Sequence, residues 1–176
     1  MNSATTQQVF HGTIGRPAHV LLVEDSPSDV AMIVAALREG HIASDMYVAG
    51  DGEEALDYLF RRGQFRDAQR PDLILLDLNL PKKDGCEVLA EVKADGDLTV
   101  IPVVVLTTSA AESDVLRMYQ LHANSYVTKP VGFEQFLAVV QQIENFWLTL
   151  VLLSDGDGSS PGREQPALLA TSNQQD

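Results

Sequence analysis

The chain has 176 residues, enough for one domain with a full core and too few for two comfortable ones. Its 25 acids against 12 Lys and Arg leave a formal charge of −13, which disfavours nucleic-acid phosphate and anionic membrane as partners. The single Cys86 excludes an internal disulfide and suits a reducing compartment; the polar start is no signal peptide, and the longest apolar run, 146–153, is too short to span a bilayer, so a cytoplasmic protein is expected.

In chain order, residues 1–18 are polar and glycine-containing and read as a flexible arm. The fold is expected over 19–153. His19 to Val23 is a short aliphatic run that ends in Glu24-Asp25, and Ser26-Pro27 then opens a helix with Val30, Ile33, Val34 and Leu37 on one face, closed by Gly40. Met46 to Ala49 is a second strand, and Asp51-Gly52 turns into a helix carrying Ala55, Leu56, Leu59 and Phe60. After the polar, arginine-rich return 61–70 comes Leu73 to Leu76, an apolar run too short for a helix, capped by Asp77. A helix from Gly85 follows, with Val88, Leu89 and Val92 inward. Val103 to Leu106 is a fourth buried strand ending at Thr107-Thr108-Ser109, and the helix 113–121 after it has Val115, Leu116 and Tyr119 as candidate inward residues. Ser125 to Thr128 is the fifth strand, closed by Lys129-Pro130, and a last helix begins near Phe133. Residues 154–176 have little to bury and read as a disordered tail.

Strands alternating with helices predict an α/β fold, a flavodoxin-like doubly wound five-stranded parallel sheet of order 2-1-3-4-5 with five helices. That order places the ends of the first and third strands side by side at the switch point, where ligands bind, and brings Thr107 and Lys129 to the same rim. Glu24, Asp25 and Asp77 would then be three carboxylates within a few ångströms, which cannot all ionise without a compensating cation. Only oxygen ligands are available, so a hard ion, Mg2+ or Mn2+, is expected: Asp25 and Asp77 direct, the Asn79 carbonyl as a third ligand, Glu24 through water. Zinc is disfavoured, because the four histidines are scattered and Cys86 is alone. With Lys129 and the Thr107 hydroxyl the rim makes a pocket for a tetrahedral dianion, and a carboxylate nucleophile at Asp77 would give an aspartyl phosphate. A haloacid-dehalogenase-type phosphatase would want a second acid where this chain has Asn79, and a flavodoxin would want a phosphate-cradling loop where Glu24-Asp25 would repel it.

Glu24-Asp25, Asp77, Thr107 and Lys129-Pro130, in this order on five alternating strands, resemble the receiver domain of two-component response regulators, from about His19 to about Glu144. The resemblance implies that Asp77 accepts phosphate from a phosphohistidine of a sensor histidine kinase, that Thr107 swings toward the phosphoryl group and Tyr126 rotates with it, and that the peptide before Pro130 is cis. The first acid is Glu24 where that family more often has aspartate, and Thr108 is larger than the family's usual alanine and would crowd the phosphate. Leu106 to Ser109, Ala123 to Tyr126 and Phe146-Trp147-Leu148 look like the small stand-alone regulators that pair with bacterial and cyanobacterial phytochrome kinases. The protein is accordingly expected to be a phosphoacceptor and not an enzyme with bulk turnover, signalling by protein contact. The last helix has more apolar surface than one side of a sheet covers, so a homodimer is expected through Phe136, Val139, Ile143, Phe146, Trp147 and Leu150.

Overall fold

A computed structural model of the chain describes residues 17–39, 44–108, 112–130, 132–143 and 146–147. Strands and helices alternate throughout: β1 Ala18–Val23, α1 Pro27–Glu39, β2 Ser44–Ala49, α2 Gly52–Leu59, β3 Leu73–Leu76, α3 Gly85–Ala94, β4 Val103–Thr107, α4 Glu112–Gln120, β5 Ser125–Thr128 and α5 Phe133–Ile143. The five strands form one parallel sheet in the order β2-β1-β3-β4-β5, the expected topology.

The central strands are buried on both faces, and their alternate residues feed two separate cores. Leu21, Val23, Ile74, Leu76, Val103 and Val105 point toward α2, α3 and α4, where they meet Leu56, Leu59, Val88, Leu89, Val92 and Met118. Val20, Leu22, Leu73, Leu75, Val104 and Leu106 point to the opposite side, against Ile33, Leu37, Phe136, Val140 and Ile143 of α1 and α5. Each such side chain contributes ~1.5–3 kcal/mol by leaving water, so β1, β3 and β4 are the least movable parts of the molecule. Their C-terminal ends are therefore a rigid platform.

Helix starts are fixed locally. In α2 the Asp51 carboxylate accepts from the Glu54 N–H at 2.8 Å, and in α3 Asp84 and Glu87 form a reciprocal capping box. Two glycines let the rim close on itself. A Cβ on Gly85 would lie 2.2 Å from the Asp77 carbonyl oxygen, and one on Gly52 would lie 2.2 Å from the Lys83 carbonyl oxygen, so both positions exclude any side chain. The Gly85 N–H also donates to the Leu78 carbonyl at 2.9 Å, which pulls α3 against the loop after Asp77.

Four expectations change. The strand β1 takes in Ala18, which is fully buried, so the fold begins one residue earlier than expected, at the last residue assigned to the arm. On α4 the inward residue is Met118, packed in the core, with Leu121 just past the helix end packed partly against the same core, while Val115 is half-buried and Leu116 and Tyr119 are exposed on other faces of the helix. On α5, Phe136 and Ile143 belong to the protein's own core and are removed from any interface, because α1 and α5 together cover that face of the sheet. Val139 and Trp147 pack partly against the same core, Phe146 is exposed, and Leu150 lies outside the described residues, as do the arm's first sixteen residues and the tail 154–176. Finally, no cis peptide occurs among the described residues, so the bond before Pro130 is trans. Trans is the lower-energy isomer by ~0.5–1 kcal/mol even before proline.

Candidate functional site at the carboxyl ends of the strands

Among the described residues the buried polar and charged side chains are Glu24, Asp77, Thr107 and Lys129, and every one of them sits at the C-terminal end of a strand. Burying a charge is costly unless it is paired, so their convergence needs a physical reason. The sheet ladder supplies the placement. The Asp77 N–H donates to the Val23 carbonyl at 3.0 Å, Glu24 N–H to Ala49 at 3.0 Å, and Lys129 N–H to Thr107 at 2.7 Å, so each strand pairing runs one residue past the strand and locks the functional residue beside its neighbour.

The pairing of charges is centred on Lys129. Its Nζ lies 2.5 Å from Glu24 Oε2, 2.8 Å from Asp29 Oδ2 and 2.9 Å from Asp77 Oδ2. An ammonium has three protons, and here each faces a carboxylate. The backbone orients the acids from the other side: Glu24 Oε1 accepts from the Ser26 N–H at 3.0 Å, and Asp77 Oδ1 accepts from Leu78 N–H at 2.6 Å and Asn79 N–H at 3.3 Å. Burial pushes the Glu24 carboxyl above its ordinary range, an effect only partly offset by the Lys129 ammonium and the Ser26 N–H. Burial alone would lower the Lys129 ammonium, but its hydrogen bonds to Asp29, Glu24 and Asp77 overcome this and hold it well above the usual lysine value. Lys129 is thus a fixed positive charge at neutral pH.

Carboxylate oxygens of Glu24, Asp25 and Asp77 lie within 4.8 Å of one another, with Asp25 exposed and the other two buried. One ammonium cannot balance these three acids and Asp29 as well. An all-oxygen donor set with excess negative charge and one open, solvent-facing member fits a hard divalent ion that keeps several waters. Beside it, Asp77 presents a carboxylate whose charge is stabilised by two N–H groups and an ammonium, a suitable arrangement for a nucleophile toward phosphorus with cationic help for the oxygens that surround it.

The other expected residues take different positions. Thr107 is fully buried at the end of β4, Thr108 is exposed, Asn79 is exposed in the loop after Asp77, and Tyr126 is half-buried against the core on the α2–α4 side. Ser109 lies outside the described residues. Asp29 was not anticipated. The available signal was an acid four residues after Asp25, in the first turn of the helix that leaves the same rim, but only the fold shows that it meets Lys129.

The description "response regulator receiver domain" matches residues 20–141. Response regulator Rcp1 of Synechocystis is 48% identical over 137 residues, covering 78% of this chain and 93% of the relative. The crystal structure of the phosphorylated cyanobacterial phytochrome response regulator RcpA is 46% identical with a TM-score of 0.77, covering 80% of this chain and all of the other. The Mn2+-bound form of Rcp1 is 47% identical with a TM-score of 0.76, over 79% of this chain and all of that structure. With the sheet order, the acid cluster and the lysine at the expected strand ends, this chain belongs to the response regulator receiver domain family.

Proposed function

We propose that Asp77 is the phosphoacceptor. In that reading a carboxylate oxygen of Asp77 forms the O–P bond as the N–P bond of a phosphohistidine breaks, and the electron pair leaves on the imidazole of a sensor histidine kinase. The observation that carries it is the Lys129 ammonium held within hydrogen-bonding distance of Asp77 in a buried cluster of acids. Asp25, Asp77 and the Asn79 carbonyl would hold Mg2+ or Mn2+, with Glu24 acting through water; the ion would neutralise charge on the phosphoryl oxygens. Lys129 and Thr107 would bind those oxygens, with Thr108 at the mouth and Tyr126 following Thr107. The protein would lose its own phosphate slowly and process no bulk substrate.

The likeness to a structure named as a cyanobacterial phytochrome response regulator supports a phytochrome-type kinase as the partner, and in this reading the pair acts in the cytoplasm. The charge of −13 argues against nucleic acid or anionic membrane as a partner, and no helix among the described residues is long and apolar enough to cross a membrane. Output would be through protein contact. Self-association remains part of the proposal on the narrower surface of Val139, Phe146 and Trp147, and a monomer in sedimentation at tens of micromolar, with and without phosphate, would remove it.

Intact mass after incubation with acetyl phosphate, with and without magnesium, tests the central claim. The parent is expected to gain one magnesium-dependent phosphate, and Asp77→Asn none. An adduct retained in the variant would place the acceptor elsewhere.

A further inference from the structure

Asp29 is the one carboxylate on Lys129 that the chemistry above does not use. It stands in the first turn of α1, its N–H 3.4 Å from the Ser26 hydroxyl that opens the helix, and its Oδ2 is 2.8 Å from Lys129 Nζ. It is not one of the three acids, Glu24, Asp25 and Asp77, whose oxygens converge within 4.8 Å. A cation shared by those three would draw charge away from Glu24 and Asp77 and leave Asp29 with Lys129 as its direct counter-charge.

The three ammonium protons of Lys129 face Glu24, Asp29 and Asp77, so a phosphoryl oxygen arriving on Asp77 must displace one of them. We infer that Asp29 is a positioning residue that competes with the phosphoryl group for the Lys129 ammonium, and that it thereby slows phosphorylation of Asp77. The competition is strong because the lysine end is buried, where a charge-assisted hydrogen bond is little weakened by solvent. An acid at the start of a helix also has an ordinary use, as a favourable partner for the helix dipole. The two roles predict opposite results. Loss of a dipole partner loosens α1 and does nothing for the reaction, whereas loss of a competitor frees a proton of Lys129 and speeds it.

The inference rests on Asp77 being the phosphoacceptor. The test follows phosphate uptake by intact mass in the full chain, with acetyl phosphate below saturation and fixed magnesium, for the parent, Asp29→Asn, Asp29→Ser and Asp29→Glu. Asp29→Asn and Asp29→Ser are expected to be phosphorylated on the order of fivefold faster than the parent, and Asp29→Glu, which restores a carboxylate, to fall back to within roughly twofold of it. The gain is expected to persist in roughly 0.5 M salt, because an interaction this buried is poorly screened. Equal or slower uptake in both neutral variants overturns the inference, and so does a gain that vanishes in salt, which would reduce it to general repulsion of an anionic donor. If the parent itself takes up no phosphate, the phosphoacceptor reading fails and this inference with it; if the parent does and the neutral variants are no faster, this inference alone fails.

Discussion

Lys129 and Lys82 each stand 2.5 Å from a carboxylate on the same rim of the sheet, one from Glu24 and the other from Asp51, yet the Lys129 side chain is 4% exposed and that of Lys82 is 55% exposed. Equal distances here do not mean equal energies. Lys82 keeps most of its water, so its ion pair replaces one good solvation with another and is screened by salt. Lys129 has given up its water and has three carboxylates in return, so the pair cannot be broken without leaving charge stranded. One arrangement is a surface contact that steadies a loop; the other is a constraint that a reacting group must enter.

Lys129→Met breaks the comparison at its strongest point. The substitution keeps an unbranched side chain of similar reach and removes the charge, leaving Glu24, Asp29 and Asp77 around an apolar tip. A loss of about 3 kcal/mol in unfolding free energy is expected from urea titration at pH 7 in the presence of a chelator, with partial recovery when magnesium is added. A loss no larger than that of an exposed pair would mean that the buried acids relax by taking up protons or water, and Lys129 would then be no more constrained than Lys82.

The strand tips were legible in the sequence because a buried parallel strand needs no partner to be recognised. An apolar run of four or five residues, stopped by Glu24, Asp77 or Thr107, carries its own signal, and the alternation with helices orders the sheet and adds the less apolar Ser125–Thr128 ahead of Lys129. What the sequence did not disclose is which charges touch. Lys129 meets Asp29 across 100 residues and Glu24 across 105, and no local pattern reports a contact of that separation. The face of α4 was misread for a different reason. Leu116 and Tyr119 are more apolar in appearance than their surroundings, but a short helix has room for one inward stripe, and Met118 holds it. On α5 the apolar excess was real, but Phe136 and Ile143 had their partners within the same chain.

Asp51→Ala sharpens the comparison from the carboxylate side. It removes a helix cap, the 2.8 Å bond from the Glu54 N–H, as well as the partner of Lys82, and is expected to cost about 1 kcal/mol, nearly all from the cap. Burial disfavours ionisation of Asp51, but the Lys82 ammonium and the Glu54 N–H outweigh it and hold the carboxyl below its ordinary range. A depressed carboxyl contributes stability that is fully present above the unfolded value, roughly 3.9, and is lost as pH falls through the folded one. The gap between parent and variant should therefore stay constant from neutrality down to about pH 4 and close below it. Glu24 has the opposite sign. Its raised carboxyl makes ionisation costly in the folded state, so its protonation recovers stability as pH falls toward the unfolded value. Urea midpoints measured across this range separate the two, since only the Asp51 contribution disappears from the difference between parent and Asp51→Ala.

Lys82→Met is the smallest expected change, and it decides whether the second prediction has been attributed correctly. Lys82 has a positive φ of 65°, and methionine keeps that backbone cost unchanged while deleting the ammonium, so the variant reports the ion pair alone. The urea midpoint is expected to move by no more than the scatter between preparations. In roughly 0.5 M salt, where the screening length falls to roughly 4 Å, parent and variant should coincide. The rate of phosphate uptake should also be unchanged, because the Lys82 partner, Asp51, is not one of the acids gathered around Asp77. If instead Lys82→Met lowered the midpoint as far as Asp51→Ala, the energy assigned to the cap would belong to the pair, and exposure would no longer explain why two lysines at the same distance from a carboxylate differ.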